Sequence, residues 1–232
     1  MPQAGIFVTA TDTGVGKTLI AAATARILAE RGMSVGVMKP FSSGGPSSMD
    51  MLHLLAGSGA RDERELVCPY HFPAPLCPYA AARETGVEVD MGRVLEAFSE
   101  LKRRHEVVIV EGVGGLRVPI TEELDVLGLI RLFELPVLLV ARSGLGTINH
   151  TLLSLDALRA SEAEVLGVVL NDVQAEVDPS AESNGEIIER FGRAQVLARV
   201  PHVSEASITR AAEALRASEK FARVLERLGG GR

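Results

Sequence analysis

Tryptophan is absent from this chain, tyrosine occurs twice and phenylalanine seven times, so its 47% of apolar residues must build a core mainly from aliphatic side chains. Cysteine is equally scarce. Cys68 and Cys77 fit neither a metal-binding nor a redox spacing, and two reduced thiols are expected. The histidines (His53, His71, His105, His150 and His202) are scattered and form no H-x₃-H pair. Basic residues are in deficit, 24 Lys and Arg against 30 Asp and Glu, and the net charge of −6 argues against nucleic acid or an anionic membrane as the main partner. A small anionic substrate in a locally basic pocket stays open. No apolar run is long enough to cross a bilayer, and the residues after Met1 lead into a strand pattern rather than a signal peptide, so a cytoplasmic location is expected.

What the chain does have is alternation. Short β-branched runs predict strands near 5–10, 34–39, 106–111, 136–141, 165–170 and 195–200. Helical spacing predicts helices near 17–31, 48–57, 90–104, 122–133, 147–160, 180–192 and 207–228. Runs such as VVIVEG and PVLLVA are apolar on both faces, as a parallel sheet covered on both sides requires. The expected fold is α/β: a doubly wound, mainly parallel sheet with helices on both faces. With no repeat and no low-complexity linker, 1–228 reads as one domain and the glycine-rich 229–232 as a flexible tail. The exception to the alternation is 58–89, a long insert rich in proline (Pro69, Pro73, Pro75, Pro78) and read as a function-bearing loop.

The densest signal is Phe7 to Thr18, FVTATDTGVGKT. A buried strand runs into a glycine-containing turn, then Gly16-Lys17-Thr18 opens a helix, which is the context a phosphate-binding loop requires. Loop amides and the helix N-terminus attract phosphate, Lys17 can reach the terminal phosphates and Thr18 can ligate Mg²⁺. The fold is therefore expected to be of the phosphate-loop NTPase type. The standard first glycine would fall at Thr11; the small residue is instead Ala10, so the loop is one residue longer and Ala10 should avoid positive φ.

In an open parallel sheet the ligand sits beyond the carboxyl ends of the strands. The second predicted strand delivers Lys39-Pro40-Phe41-Ser42-Ser43-Gly44, with a lysine poorly placed for solvent. The third ends in Glu111 followed by Gly112, Gly114 and Gly115: an acid able to hold Mg²⁺ directly or through water, and backbone able to approach phosphate closely. Asp50 is a second candidate metal ligand, or a first-turn acid favouring the helix dipole. The fourth strand leads through Gly144 to His150 into a helix N-terminus suited to a carboxylate. The fifth ends in Asn171-Asp172, which reads either as an adenine contact or as a plain turn pair.

Taken together these motifs resemble the dethiobiotin synthetase family over nearly the whole chain. Its G-T-D-T-x-V-G-K-T loop corresponds to Ala10–Thr18, its K-P-x-x-S-G segment to Lys39–Gly44 and its E-G-x-G-G to Glu111–Gly115. Pro119-Ile120, the G-x-G-T-I-N-H run at Gly144–His150, Asn171-Asp172 and the Pro78-Tyr79-Ala80-Ala81-Ala82 stretch also match, whereas His202-Val203-Ser204-Glu205 is only loosely similar. The resemblance implies an ATP-dependent ligase that carboxylates 7,8-diaminononanoate with CO₂ or bicarbonate and closes a cyclic urea, in a homodimer with the active site at the interface. It implies that Thr13, Gly14, Val15, Gly16, Lys17 and Thr18 bind the triphosphate together with Glu111, Gly112 and Gly114. Thr18, Asp50 and Glu111 would place Mg²⁺, and Asn171, Asp172, Pro201, His202 and Val203 would receive the base. Lys39 and Lys17 would serve the chemistry, with Thr13, Ser43 and Gly115 against the diamine or carbamate. Gly146, Thr147, Ile148 and Asn149 of the partner subunit would hold the substrate carboxylate.

Two other classes share parts of this pattern. Partitioning or division-type regulatory ATPases carry a signature lysine in K-G-G-x-G-K-[ST], and that position is Asp12 in this chain. Cobyrinate-type amidating synthases usually add a glutamine-hydrolysing domain, for which 232 residues leave no room.

Overall fold

The computed structural model describes residues 4–176, 178–203 and 207–230. Ser204, Glu205 and the end of the predicted tail, Gly231 and Arg232, lie outside the described residues. Six strands form one parallel sheet: β1 (Ala4–Ala10), β2 (Val35–Met38), β5 (Val107–Glu111), β6 (Val137–Arg142), β7 (Val165–Asn171) and β8 (Val196–Val200). Their spatial order is β2-β5-β1-β6-β7-β8, with β1 central and paired to β5 on one side and β6 on the other.

Because side chains alternate across a strand, successive residues of β1 enter different cores. Ile6, Val8 and Ala10 join one apolar cluster while Phe7 joins the other. The first cluster is closed by α1 (Lys17–Glu30), α2 (Met49–Ser58), α9 (Ile208–Arg216) and α10 (Glu219–Leu228). The second is closed by α4 (Pro78–Thr85), α5 (Met91–Arg104), α6 (Val126–Phe133), α7 (Thr147–Ala160) and α8 (Ala181–Gly192). Both faces are buried, as the continuous apolar strand sequences require. No helix among the described residues is long and apolar enough to cross a membrane.

Three sequence expectations need correction. The segment 58–89 is no open loop: α3 (Arg64–Val67), a short strand β4 (Tyr70–Phe72) and α4 occupy it. β4 pairs in parallel with β3 (Phe41–Ser43), and Phe41 stacks on Tyr70 with ring centroids 5.5 Å apart. The helix expected from 207 to 228 is two helices, broken where Ser218 caps the second through Phe221 N–H. The helix expected from 122 begins only at Val126, because Asp125 pairs with Pro119 in an isolated bridge and then caps Gly128 N–H. Short strands and side-chain caps of this kind carry little periodic signal.

Five of the ten helices among the described residues open on a capping side chain, such as Ser48 for α2 and Asp90 for α5. Two open instead on a left-handed glycine with no capping side chain: α1 at Gly16 (φ 98°) and α7 at Gly146 (φ 88°). Their first N–H groups are thus left for an anion. These are the two helix starts that the sequence marks for phosphate and carboxylate.

Candidate active site at the carboxyl ends of the strands

Ala10 is the last residue of β1, in register with Val140, and does not turn at all. The turn is made further on, by Gly14 (φ 75°) and Gly16. Gly16 has a second reason to lack a side chain. A Cβ there would lie 2.2 Å from the Asn171 amide nitrogen, which donates to the Val15 carbonyl at 3.0 Å. Asn171 is therefore wedged against the loop, with one amide hydrogen used and its oxygen and second hydrogen remaining.

β2 and β5 are neighbours in register, Met38 opposite Val110, so Lys39 and Glu111 emerge side by side at the strand ends. Lys39 Nζ lies 2.6 Å from Glu111 Oε1, 2.9 Å from Asp50 Oδ2 and 2.9 Å from the Gly112 carbonyl, which occupies all its N–H donors. Thr18 Oγ1 sits 2.9 Å from Asp50 Oδ1 and 2.8 Å from Glu111 Oε1, close enough to donate its one proton to either. The Lys17 ammonium donates to the Asp12 carbonyl at 3.1 Å. Thr18, Lys39, Asp50 and Glu111, chosen from four separate segments of sequence, form one cluster.

The electrostatics follow from burial. Lys39 is 2% exposed and Glu111 1%. Burial opposes the charge on Lys39, but Glu111 and Asp50 outweigh it and hold the ammonium above its ordinary range. Burial pushes the Glu111 carboxyl up against the pull of Lys39, whereas at Asp50 the opposite balance holds and Lys39 draws it down. Lys17 has no such carboxylate within bonding distance, and burial together with the nearby Lys39 ammonium lowers it to about 8.

Glu111 Oε2 is buried with no hydrogen-bond partner among the described residues. That orphaned oxygen, the Thr18 hydroxyl and Asp50 make a hard oxygen set, the kind Mg²⁺ accepts together with phosphate oxygens. Among the described residues no group of three or more His, Cys, Asp or Glu is placed to hold a metal by itself.

A cavity of about 530 Å³ opens over this cluster. Thr13, Gly14, Gly16, Lys17 and Thr18 line its phosphate-loop wall; Lys39, Ser43, Asp50, Glu111 and Gly114 line the floor and far side. Sequence reasoning missed part of the wall: His53, Pro75, Leu76, Cys77, Val118 and Ile208 also border it. Their only sequence signal was the proline-rich insert, which brings Pro75 to Cys77 to the rim. Gly115 packs close to the loop, where a Cβ would sit 3.3 Å from the Thr11 carbonyl. A second cavity of about 410 Å³ is lined by Asp172, Pro201 and His202 with Arg142, Gly144 and Arg199. Val203 packs against the apolar cluster instead. Gly146, Thr147, Ile148 and Asn149 border neither of these cavities within one chain.

A family model described as an AAA domain matches residues 4–209. The ATP-dependent dethiobiotin synthetase BioD of Anaeromyxobacter dehalogenans is 45% identical over 213 residues, 91% of this chain and 95% of that protein. The chain belongs to the dethiobiotin synthetase family. Membership makes it an enzyme of the ligase class. The Bacillus licheniformis member, also named ATP-dependent dethiobiotin synthetase BioD, is 40% identical over 210 residues, 88% of each protein. Among solved structures, the MinC:MinD cell division protein complex of Aquifex aeolicus aligns with a TM-score of 0.56 over 98% of this chain and 96% of that chain. Its identity is 16%, so the likeness establishes the phosphate-loop NTPase fold and nothing finer.

Proposed function

We propose that the chain carboxylates 7,8-diaminononanoate with CO₂ at the expense of ATP and closes the product to dethiobiotin, releasing ADP and phosphate. One amine adds to CO₂ as a carbamate. A carbamate oxygen takes the γ-phosphoryl group from ATP, and the second amine then attacks the mixed anhydride, closing the urea and expelling phosphate. The observation that carries this reading is the buried Lys39 ammonium at the floor of the phosphate-loop cavity. A regulatory ATPase has no need of a second cation there, whereas a carbamate and a migrating phosphoryl group both carry negative charge toward it. Asp12 at the position of the signature lysine supports the same choice.

In this reading the amides from Thr13 to Thr18 cradle the triphosphate, and Lys17 leaves the Asp12 carbonyl for its terminal oxygens. Thr18, Asp50 and Glu111 would hold Mg²⁺, which would supply neutralisation of the phosphate charge. Asp50 and Glu111 also bind Lys39, so metal and ammonium compete for the same oxygens. Thr13 and Ser43 face the reacting amine and carbamate across the cavity, with Asp172, Pro201 and His202 of the second cavity at the base end and Asn171 joining them through its hold on the Val15 carbonyl. The uncapped start of α7 would bind the substrate carboxylate of a partner subunit in a homodimer, which accounts for its distance from the cavity within one chain. The reading predicts that purified protein given ATP, Mg²⁺ and bicarbonate releases ADP in proportion to added diamine. ADP release indifferent to the diamine would contradict it.

A further inference from the structure

The chemistry above leaves the ion pair between Asp12 and Arg142 without a role. Arg142 closes β6, opposite Asn171 in the register of β7, and its Nη2 lies 3.0 Å from Asp12 Oδ2. Asp12 is a junction within the phosphate loop. Its Oδ1 accepts the Thr13 N–H at 2.7 Å, and its carbonyl accepts the Lys17 ammonium at 3.1 Å. A single loop residue thus ties Arg142, Thr13 and Lys17 together.

Stability does not account for this arrangement. The two side chains are 35% and 52% exposed, where an ion pair contributes little. Arg142 Nε is also buried with no hydrogen-bond partner among the described residues, an arrangement that costs free energy. What the pair does supply is direction. The loop turns through two left-handed glycines, residues that fix their own backbone poorly. Asn171 holds the loop at Val15; Arg142, from the adjacent strand end, holds it at Asp12.

We propose that Arg142 is a positioning residue for the phosphate loop. Acting through Asp12, it keeps the loop in its nucleotide-ready shape and parks Lys17 on the Asp12 carbonyl until a triphosphate takes the ammonium over. In this chain a cis Asp–Arg clasp occupies the loop position where the regulatory ATPases place a signature lysine. The proposal rests on the nucleotide reading of the loop and is independent of the diamine.

The test is titration of the full chain with a fluorescent ADP analogue, alongside KM values for ATP and diamine, in Arg142→Ala, Asp12→Asn, the double variant and Arg142→Lys. Asp12→Asn keeps an acceptor for Thr13, and replaces the oxygen that accepts from Arg142 with an amide N–H donor, removing the charge and that hydrogen bond together. Each single variant is expected to weaken the analogue and raise the ATP KM by about two- to fivefold, with the diamine KM unchanged. The double variant should bind no worse than the weaker single, and Arg142→Lys should recover most of the affinity. Unchanged affinity in Arg142→Ala would overturn the proposal. So would single effects that multiply in the double variant, because Arg142 would then act on the nucleotide directly. A fall in melting temperature that Arg142→Lys fails to reverse would reduce the pair to a structural role. A chain that binds the analogue without turning over diamine would contradict the carboxylation reading, while the titration would still decide the role of Arg142.

Discussion

Lys39 is the residue on which the account turns, because its three donors join Glu111, Asp50 and the Gly112 carbonyl beneath the phosphate loop. Truncation leaves the buried Glu111 carboxylate without its cation. Breaking such a pair costs on the order of 3 kcal/mol, and losing a charge-stabilising donor lowers turnover by about 10²- to 10³-fold. Lys39→Ala should therefore lose kcat by at least that factor while the ATP Kd changes little, as steady-state kinetics and nucleotide titration will report. A large loss of ATP affinity would move Lys39 into the nucleotide site. Lys17 makes a different prediction. With its ammonium lowered to about 8 by burial and the nearby Lys39, the charged form is in place below pH 8, and nucleotide binding takes up a proton above it. The ATP KM should be flat below about pH 8 and rise above it, approaching tenfold per pH unit. Lys17→Arg, which stays charged, should flatten the profile. A wild-type KM that stays level to pH 9.5 would contradict the assignment.

At the scale of elements, the strands of the main sheet were legible because burial on both faces writes an unbroken apolar run. Lys39 and Glu111 stood out as charges terminating such runs. The small sheet of β3 and β4 was not legible: three residues each are too few for a period. The clasp of Arg142 on Asp12 was hidden for another reason, since it joins residues 130 positions apart through a loop whose path no local pattern specifies. Packing between α1 and α2 is equally silent in sequence, yet it matters to the site, since α1 brings Lys17 and Thr18 and α2 brings Asp50. The two helices approach tightly at Gly57, where a Cβ would lie 2.3 Å from the Ala22 carbonyl oxygen. The Ala22 atoms it would meet are backbone, so they cannot yield without moving a helix. Gly57→Ala should cost about 1–3 kcal/mol and lower the melting temperature by roughly 3–10 °C. An unchanged melt would mean the helices separate freely.

For the whole molecule, the sheet order places β1 between β5 and β6, and the phosphate loop leaves from that central strand. Residues from both halves of the sheet therefore reach the same carboxyl edge: Lys39 and Glu111 from the β2–β5 side, Arg142 and Asn171 from the β6–β7 side. The phosphate loop leaves from that same edge, and within one chain Gly146 to Asn149 at the start of α7 border neither of the two cavities. All of this matters only if ATP cleavage and urea closure occur together in the one site. The most direct measurement is product analysis with ¹³C-bicarbonate, ATP, Mg²⁺ and 7,8-diaminononanoate on the purified protein. The account predicts dethiobiotin carrying a single ¹³C, formed in equal amount to ADP and lost in Lys39→Ala. ADP released without labelled product, or at the same rate when the diamine is left out, would contradict it.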